Sequence, residues 1–314
     1  MKPIRNYIDN AKIRLSWGLT GNNRVGEYAS YGLYDVQKSW GGQVTLGSVP
    51  SGVYPFNGNL SNVGMVPTSV PNKDLKWETT EQWNLGFDLS FLQERIGVTV
   101  DLYRKTTRDL LLNSNLPLSS GFVSAMKNIG KVRNQGIEFT LNTTNIKNKK
   151  FEWTSNFNIA FNQNRVIELA EGQSALMSAV QFDQNFNQQS SYIARKGESM
   201  GCMYGYIYDG TYKYEDFNKS GDNYTLKANV PHFAGETNTQ PGMPKYRDIN
   251  GDGVVDDNDC TIIGNGLPVH TGGFTNNFAY AGFDLSVFFQ WSYGNDILNA
   301  NRLWFESSWN KSRD

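Results

Sequence analysis

The 314 residues contain no stretch approaching the ~20 consecutive apolar residues that a membrane helix needs. Helical periodicity is weak throughout, so a helical bundle is excluded as well. Cysteine is nearly absent. Cys202 and Cys260 alone cannot build a disulfide framework, and the sequence leaves open whether they pair or stay as two thiols. Histidine is limited to His232 and His270. Charge of one sign is missing too: 29 Lys and Arg against 30 Asp and Glu leave a net charge of −1, which gives no basic face for nucleic acid. The first residues, Met1 to Asn6, carry no apolar signal-peptide core.

Aromatic residues and glycine are abundant. Phe, Tyr and Trp make up 13% of the chain, and there are 31 glycines against 10 prolines. Period-two alternation is the strong signal. Trp83, Leu85, Phe87, Leu89 and Phe91 share one face, and Asn84, Gly86, Asp88 and Ser90 the other. After Gln93-Glu94-Arg95, the residues Ile96, Val98, Val100 and Leu102 alternate with Gly97, Thr99, Asp101 and Tyr103. The pattern returns in Ile137, Phe139 and Leu141, in Phe151 to Phe161, and in Phe274 to Trp291 around Ala281-Gly282. Ile13, Leu15, Trp17 and Leu19 suggest a lone strand. About seven strands of roughly ten residues are expected, long enough to cross hydrocarbon when tilted.

Mean hydropathy is −0.52, a value common in soluble proteins. It does not exclude a membrane barrel, in which only alternate residues face lipid. The hairpin turns are short, whereas 21–80, 106–135, 163–200 and 209–270 are long. Compact soluble domains rarely carry several connections beyond ~15 residues, but transmembrane barrels place short turns on one side and long loops on the other. Trp17, Trp83, Phe91, Trp291 and Tyr293 suit interfacial girdles. The expected fold is all-β, an antiparallel transmembrane β-barrel with long extracellular loops. The alternative is a secreted, calcium-stapled β-sandwich that binds glycans, since sandwich strands alternate equally well.

One stretch carries recognisable chemistry. In "DINGDGVVDDND", Asp248, Asn250, Asp252, the carbonyl of Val254, Asp256 and Asp259 fall at positions 1, 3, 5, 7, 9 and 12 of a calcium loop, with Gly253 at the sharp turn. Position 12 is Asp rather than Glu, and the residues that follow read as extended. A bare, structural Ca²⁺ loop is expected, against the alternative of a solvated acidic turn. Gly197-Glu198-Ser199-Met200-Gly201 matches the G-x-S-x-G nucleophile motif, but no helical pattern follows it and neither histidine has a triad context. No enzyme activity is expected. Tyr204, Tyr206, Tyr208, Tyr212, Trp304 and Trp309 suit packing of loops on one another better than stacking on sugar rings.

Four phrases carry a resemblance. "NKDLKWETTEQWNLGFDLSFLQERIGVTVDLYRKTTRDLLL" (72–112), "NIGKVRNQGIEFTLN" (128–142), "YRDINGDGVVDDNDCTIIGN" (246–265) and "TGGFTNNFAYAGFDLSVFFQWSYGNDILNANR" (271–302) resemble the SusC/RagA family of TonB-dependent outer-membrane transporters, in its order and spacing. The resemblance implies a 22-stranded barrel closed by a plug and capped by a SusD-like lipoprotein. It further implies import of oligosaccharides or peptides with energy relayed by TonB. No TonB box or plug sequence is found, and Asn310 to Asp314 falls where an extracellular loop should be. Residues 1–314 are therefore expected to be a partial receptor barrel domain, without plug or final strands and not transport-competent alone.

Overall fold

A computed structural model describes residues 8–23, 28, 30–36, 65–67, 69–122, 124–170, 172–179, 190–236, 238–299 and 301–302. Trp304, Trp309 and the residues at either extremity lie outside this set.

Seven long strands form one antiparallel sheet. They are β1 (Ile8–Asn22), β2 (Glu78–Phe91), β3 (Ile96–Arg108), β4 (Lys131–Lys147), β5 (Phe151–Glu168), β6 (His270–Tyr280) and β7 (Phe283–Tyr293). Their order in space is their order in the chain. The segment read as a lone strand, 13–19, is the middle of β1 and pairs with β2 along its length.

The register converts alternation into continuous rows. Leu15, Leu85, Leu102, Ile137, Phe161, His270 and Tyr293 stand opposite one another across all seven strands. One row nearer the turns are Ile13, Phe87, Val100, Phe139, Ile159, Gly272 and Trp291. Nothing covers this face among the described residues. Ile13 and Leu15 are each 72% exposed, Phe289 61% and Phe283 78%. The buried hydrophobics lie elsewhere, for example Ile193, Met203, Tyr212, Phe217 and Val255 in the loops and Val132 and Val166 on the opposite face. A β-sandwich would bury its apolar face against a second sheet. The sandwich alternative is thereby corrected: among the described residues this face has no such partner.

All three tight turns sit at one end. Ala281 and Gly282 both have positive φ (49° and 86°), the primed geometry that matches strand twist in a two-residue hairpin. Asn148 closes its turn by accepting from the N–H groups of Lys150 and Phe151 at 3.0 and 2.8 Å. At the other end the chain makes three long excursions. The stretches 163–200 and 209–270, read as separate loops, belong to one excursion from β5 to β6. It contains a four-stranded sheet in the order Ala175–Ala179, Ser190–Arg195, Cys202–Gly205, Thr261–Asn265.

Candidate functional site

The polar face of the sheet is built from Asn, Gln, Thr and paired charges. Asn156 donates to Asn142 at 2.6 Å, Asn164 to Asn134 at 2.8 Å, and Asn84 to Ser16 at 3.1 Å. The Arg14 guanidinium bonds Asp88 at 2.7 Å and Asp101 at 2.9 Å, and Thr99 also donates to Asp88. Asp101 is on β3, two strands from Arg14. The reach is possible because Gly86 stands opposite both residues and its face is bare. A Cβ there would sit 2.6 Å from the Arg14 guanidinium carbon and from an Asp101 oxygen. Tyr103 repeats the device. Its hydroxyl passes over Gly136 and donates to Asn162 at 2.9 Å. On the apolar face Trp291 lies over Gly272 and against Phe157, with ring centroids 5.9 Å apart. Alternation assigned Asn84, Gly86, Asp88, Asp101, Tyr103 and Trp291 to their faces, but the ties across a glycine depend on register, which it does not supply.

The loop excursion is held together by its own aromatics. Tyr206 packs on Phe233 (5.4 Å) and Tyr246 (5.6 Å), Tyr208 on Tyr246, and Tyr212 on Phe217. The Tyr212 hydroxyl donates to the Pro231 carbonyl at 2.8 Å. Burial pushes the Tyr206 phenol well above its usual range, and it donates to Asp257 at 3.2 Å. Cys202 and Cys260 are not bonded to one another; Cys202 is buried, and burial raises both thiols. Ser199 sits in a turn that leads into a strand, without the helix that a nucleophile elbow requires.

Asp248 to Asp259 fold into a compact loop tied by carboxylate-to-backbone bonds. Asp248 accepts from Gly251 and Gly253 at 2.6 and 2.8 Å. Asn250 accepts from Asp252, Asp252 from Val254, and Asp256 from Asn258. Val254 also pairs in parallel with His232. Asp259 is 0% exposed and closes the loop. One of its oxygens takes the N–H groups of Ile249 and Asn250, at 2.7 and 3.2 Å, and the other that of Asp256 at 2.9 Å. The bond from Asp256, helped by the other two, holds this carboxyl below its ordinary value against the opposing effect of burial. Among the described residues, no three Asp, Glu, His or Cys side chains converge as a metal-binding group. Asp259 therefore organises backbone in this geometry, a role that the ligand spacing did not disclose.

The apolar rows measure up to a membrane. From Phe151 to Phe161 on β5 is about 34 Å at ~3.4 Å per residue. At a tilt of ~45° this is a height of about 25 Å, that of a barrel's lipid-facing band. The TonB-dependent receptor-like β-barrel family model matches residues 6–295. The chain belongs to the TonB-dependent receptor family. Among curated relatives, TonB-dependent receptor P39 of Formosa agariphila is 36% identical over 93% of this chain and 27% of its own length. TonB-dependent receptor SusC of Bacteroides thetaiotaomicron is 28% identical, over 93% of this chain and 26% of its own. The chain thus spans about a quarter of these receptors. The RagAB peptide importer in its open-open state superposes with a TM-score of 0.66 at 22% identity, covering 94% of this chain and 27% of that one. This supports the fold. The seven strands are a panel of a TonB-dependent receptor barrel, with an apolar outside and a polar lumen side.

Proposed function

We propose that this panel is part of the wall of an outer-membrane nutrient importer that takes up oligosaccharides or peptides. The observation that carries the reading is the seven-stranded face, apolar in continuous rows, uncovered, and backed by a lumen side of amides and paired charges. A SusD-like lipoprotein would close over the long loops, and TonB would act through a plug region of the full-length receptor. Names of relatives support the class: SusC is one, and RagAB a peptide importer is another. The test is uptake by cells carrying the full-length receptor, supplied with labelled oligosaccharide or peptide mixtures. Uptake should vanish when either TonB or the receptor gene is deleted. Unchanged uptake of every mixture would sink the reading.

Calcium at Asp248, Asn250, Asp252, Val254, Asp256 and Asp259 is proposed on the ligand spacing. A bound ion would fasten the excursion just before β6 enters the membrane. Its role there would be structural.

A further inference from the structure

The lumen side of the panel divides lengthwise. On β1 to β4 it carries Lys12, Arg14, Asp88, Asp101, Lys105 and Glu138. On the next three strands charge gives way to amides and hydroxyls. From Thr154 to Asn164 on β5, Thr271 to Asn277 on β6 and Ser286 to Ser292 on β7, every lumen-side residue is Asn, Gln, Ser, Thr, Ala or Gly, with one exception. The exception is Phe288, which is 58% exposed on this polar side.

The Phe288 ring leans over Gly273 on β6. A Cβ at that glycine would lie 3.2 Å from a ring carbon and 3.2 Å from the Asn158 amide nitrogen. Asn158 and Gln290 are the residues opposite Gly273 on its two neighbouring strands. Asn158 donates to Asn156 at 3.4 Å and Asn156 to Asn142 at 2.6 Å, so a file of amides runs from β4 toward the ring. The Asn158 side-chain oxygen and the whole Gln290 amide have no hydrogen-bond partner among the described residues. An amide offers two donors and an acceptor. An exposed aromatic face flanked by such amides, with no charge on its three strands at that height, suits a ring of C–H bonds edged by hydroxyls. It does not suit a charged solute, since a charge that leaves water without a counter-charge is costly.

We propose that Phe288, Asn158 and Gln290 form a lumenal subsite for an uncharged sugar ring, so that the cargo is a neutral oligosaccharide rather than a peptide or an acidic glycan. This rests on the reading of the panel as the wall of an importer. The sugar lays its C–H face on the electron-rich face of Phe288, and its hydroxyls bond the two free amides. Gly273 belongs to the subsite as well, because a side chain there would push the ring away from Asn158.

The test is uptake by cells whose only copy of the full-length receptor carries the wild-type or a variant sequence. They are supplied with isotope-labelled mixtures of uncharged oligosaccharides, of uronate-bearing oligosaccharides, or of peptides. Receptor in the membrane is measured by its heat-modifiable band. Uptake should be confined to the uncharged mixture. Phe288→Leu, which keeps the bulk and loses the ring, should slow it about fivefold at normal receptor amounts. Asn158→Leu with Gln290→Leu should slow it as much, whereas Phe288→Tyr should keep it. Full uptake by either leucine variant would overturn the proposal, because the ring or the amides would then serve packing alone. An equal loss in Phe288→Tyr would also overturn it, since that variant retains the ring. So would uptake of peptides or acidic glycans by the wild type. The two levels of failure are separable. If uptake depends on TonB and on the receptor gene but ignores these residues, or selects a charged mixture, only this inference falls. If no mixture is taken up in a TonB-dependent way, the importer reading falls with it.

Discussion

The Tyr103 hydroxyl meets the Asn162 side-chain oxygen directly above Gly136, the residue opposite both of them in the sheet. Any side chain at 136 would occupy that path. A Cβ there would lie 2.7 Å from the Tyr103 hydroxyl and collide with the Phe161 carbonyl. Gly136→Ala should therefore cost about 1–3 kcal/mol, as overpacking does, and Tyr103→Phe about 0.5–1.5 kcal/mol for the lost bond. Gly97→Ala is the control, because its Cβ would meet nothing closer than 3.8 Å. Denaturation of the purified receptor, followed by heat-modifiable gel mobility, checks all three. Equal loss at 97 and 136 would show that glycine at 136 is not there for Tyr103.

Faces are assigned by register, so they can be labelled. Cysteines at Phe87, Val98, Phe139 and Leu285 should be shielded by lipid in the full-length receptor, whereas those at Asp88, Thr99, Glu138 and Asp284 should face the lumen. A membrane-impermeant thiol reagent should modify the second set and spare the first. Equal modification would end the barrel assignment.

β1 and β7 are each paired on one side only among the described residues. An open edge in hydrocarbon leaves backbone groups unpaired at several kcal/mol each. Residues 1–314 expressed alone should aggregate or be degraded. A protease-resistant, heat-modifiable band from this polypeptide would contradict the expectation.

Calcium is tested by calorimetry on the full-length receptor. Binding should be modest, on the order of 10⁻⁴–10⁻³ M as in extracellular modules. Chelator should raise protease cleavage within 209–270 while leaving 283–293 protected. No heat signal and identical digests would return the stretch to an acidic turn.

Asp259 gives a pH dependence. Its folded carboxyl titrates below the ordinary ~3.9. The stabilisation it lends is complete above that value and is lost as pH falls through the lower, folded one. Near-ultraviolet dichroism of the Tyr206, Phe233 and Tyr246 cluster should therefore hold from neutral pH to about 4 and fade below it. Asp259→Asn should show the faded signal already at pH 7, because an amide nitrogen would face N–H donors. A variant with the wild-type signal would remove Asp259 as the organiser.

The seven strands were legible because each shows period-two alternation, as Ile137, Phe139 and Leu141 do in β4. The sheet inside the excursion was not. Cys202–Gly205 and Thr261–Asn265 are too short to show a period, and they pair across more than fifty residues of chain. At Asp248–Asp259 the sequence showed where oxygens cluster. It did not show that the Asp259 oxygens turn to backbone N–H groups, since that depends on how the loop closes.

Alternation tolerates a slip of two residues, which keeps every side chain on its own face. The bare positions do not tolerate it. Shifted by two, Tyr103 would stand opposite Asn134 or Glu138, Arg14 opposite Asn84 or Asp88, and Trp291 opposite Phe274 or His270. In each case a bulky side chain would block the space that a glycine now leaves open. Gly86, Gly136 and Gly272 thus act as a proofreading code for strand assembly, rejecting the misalignments that greasiness alone would accept.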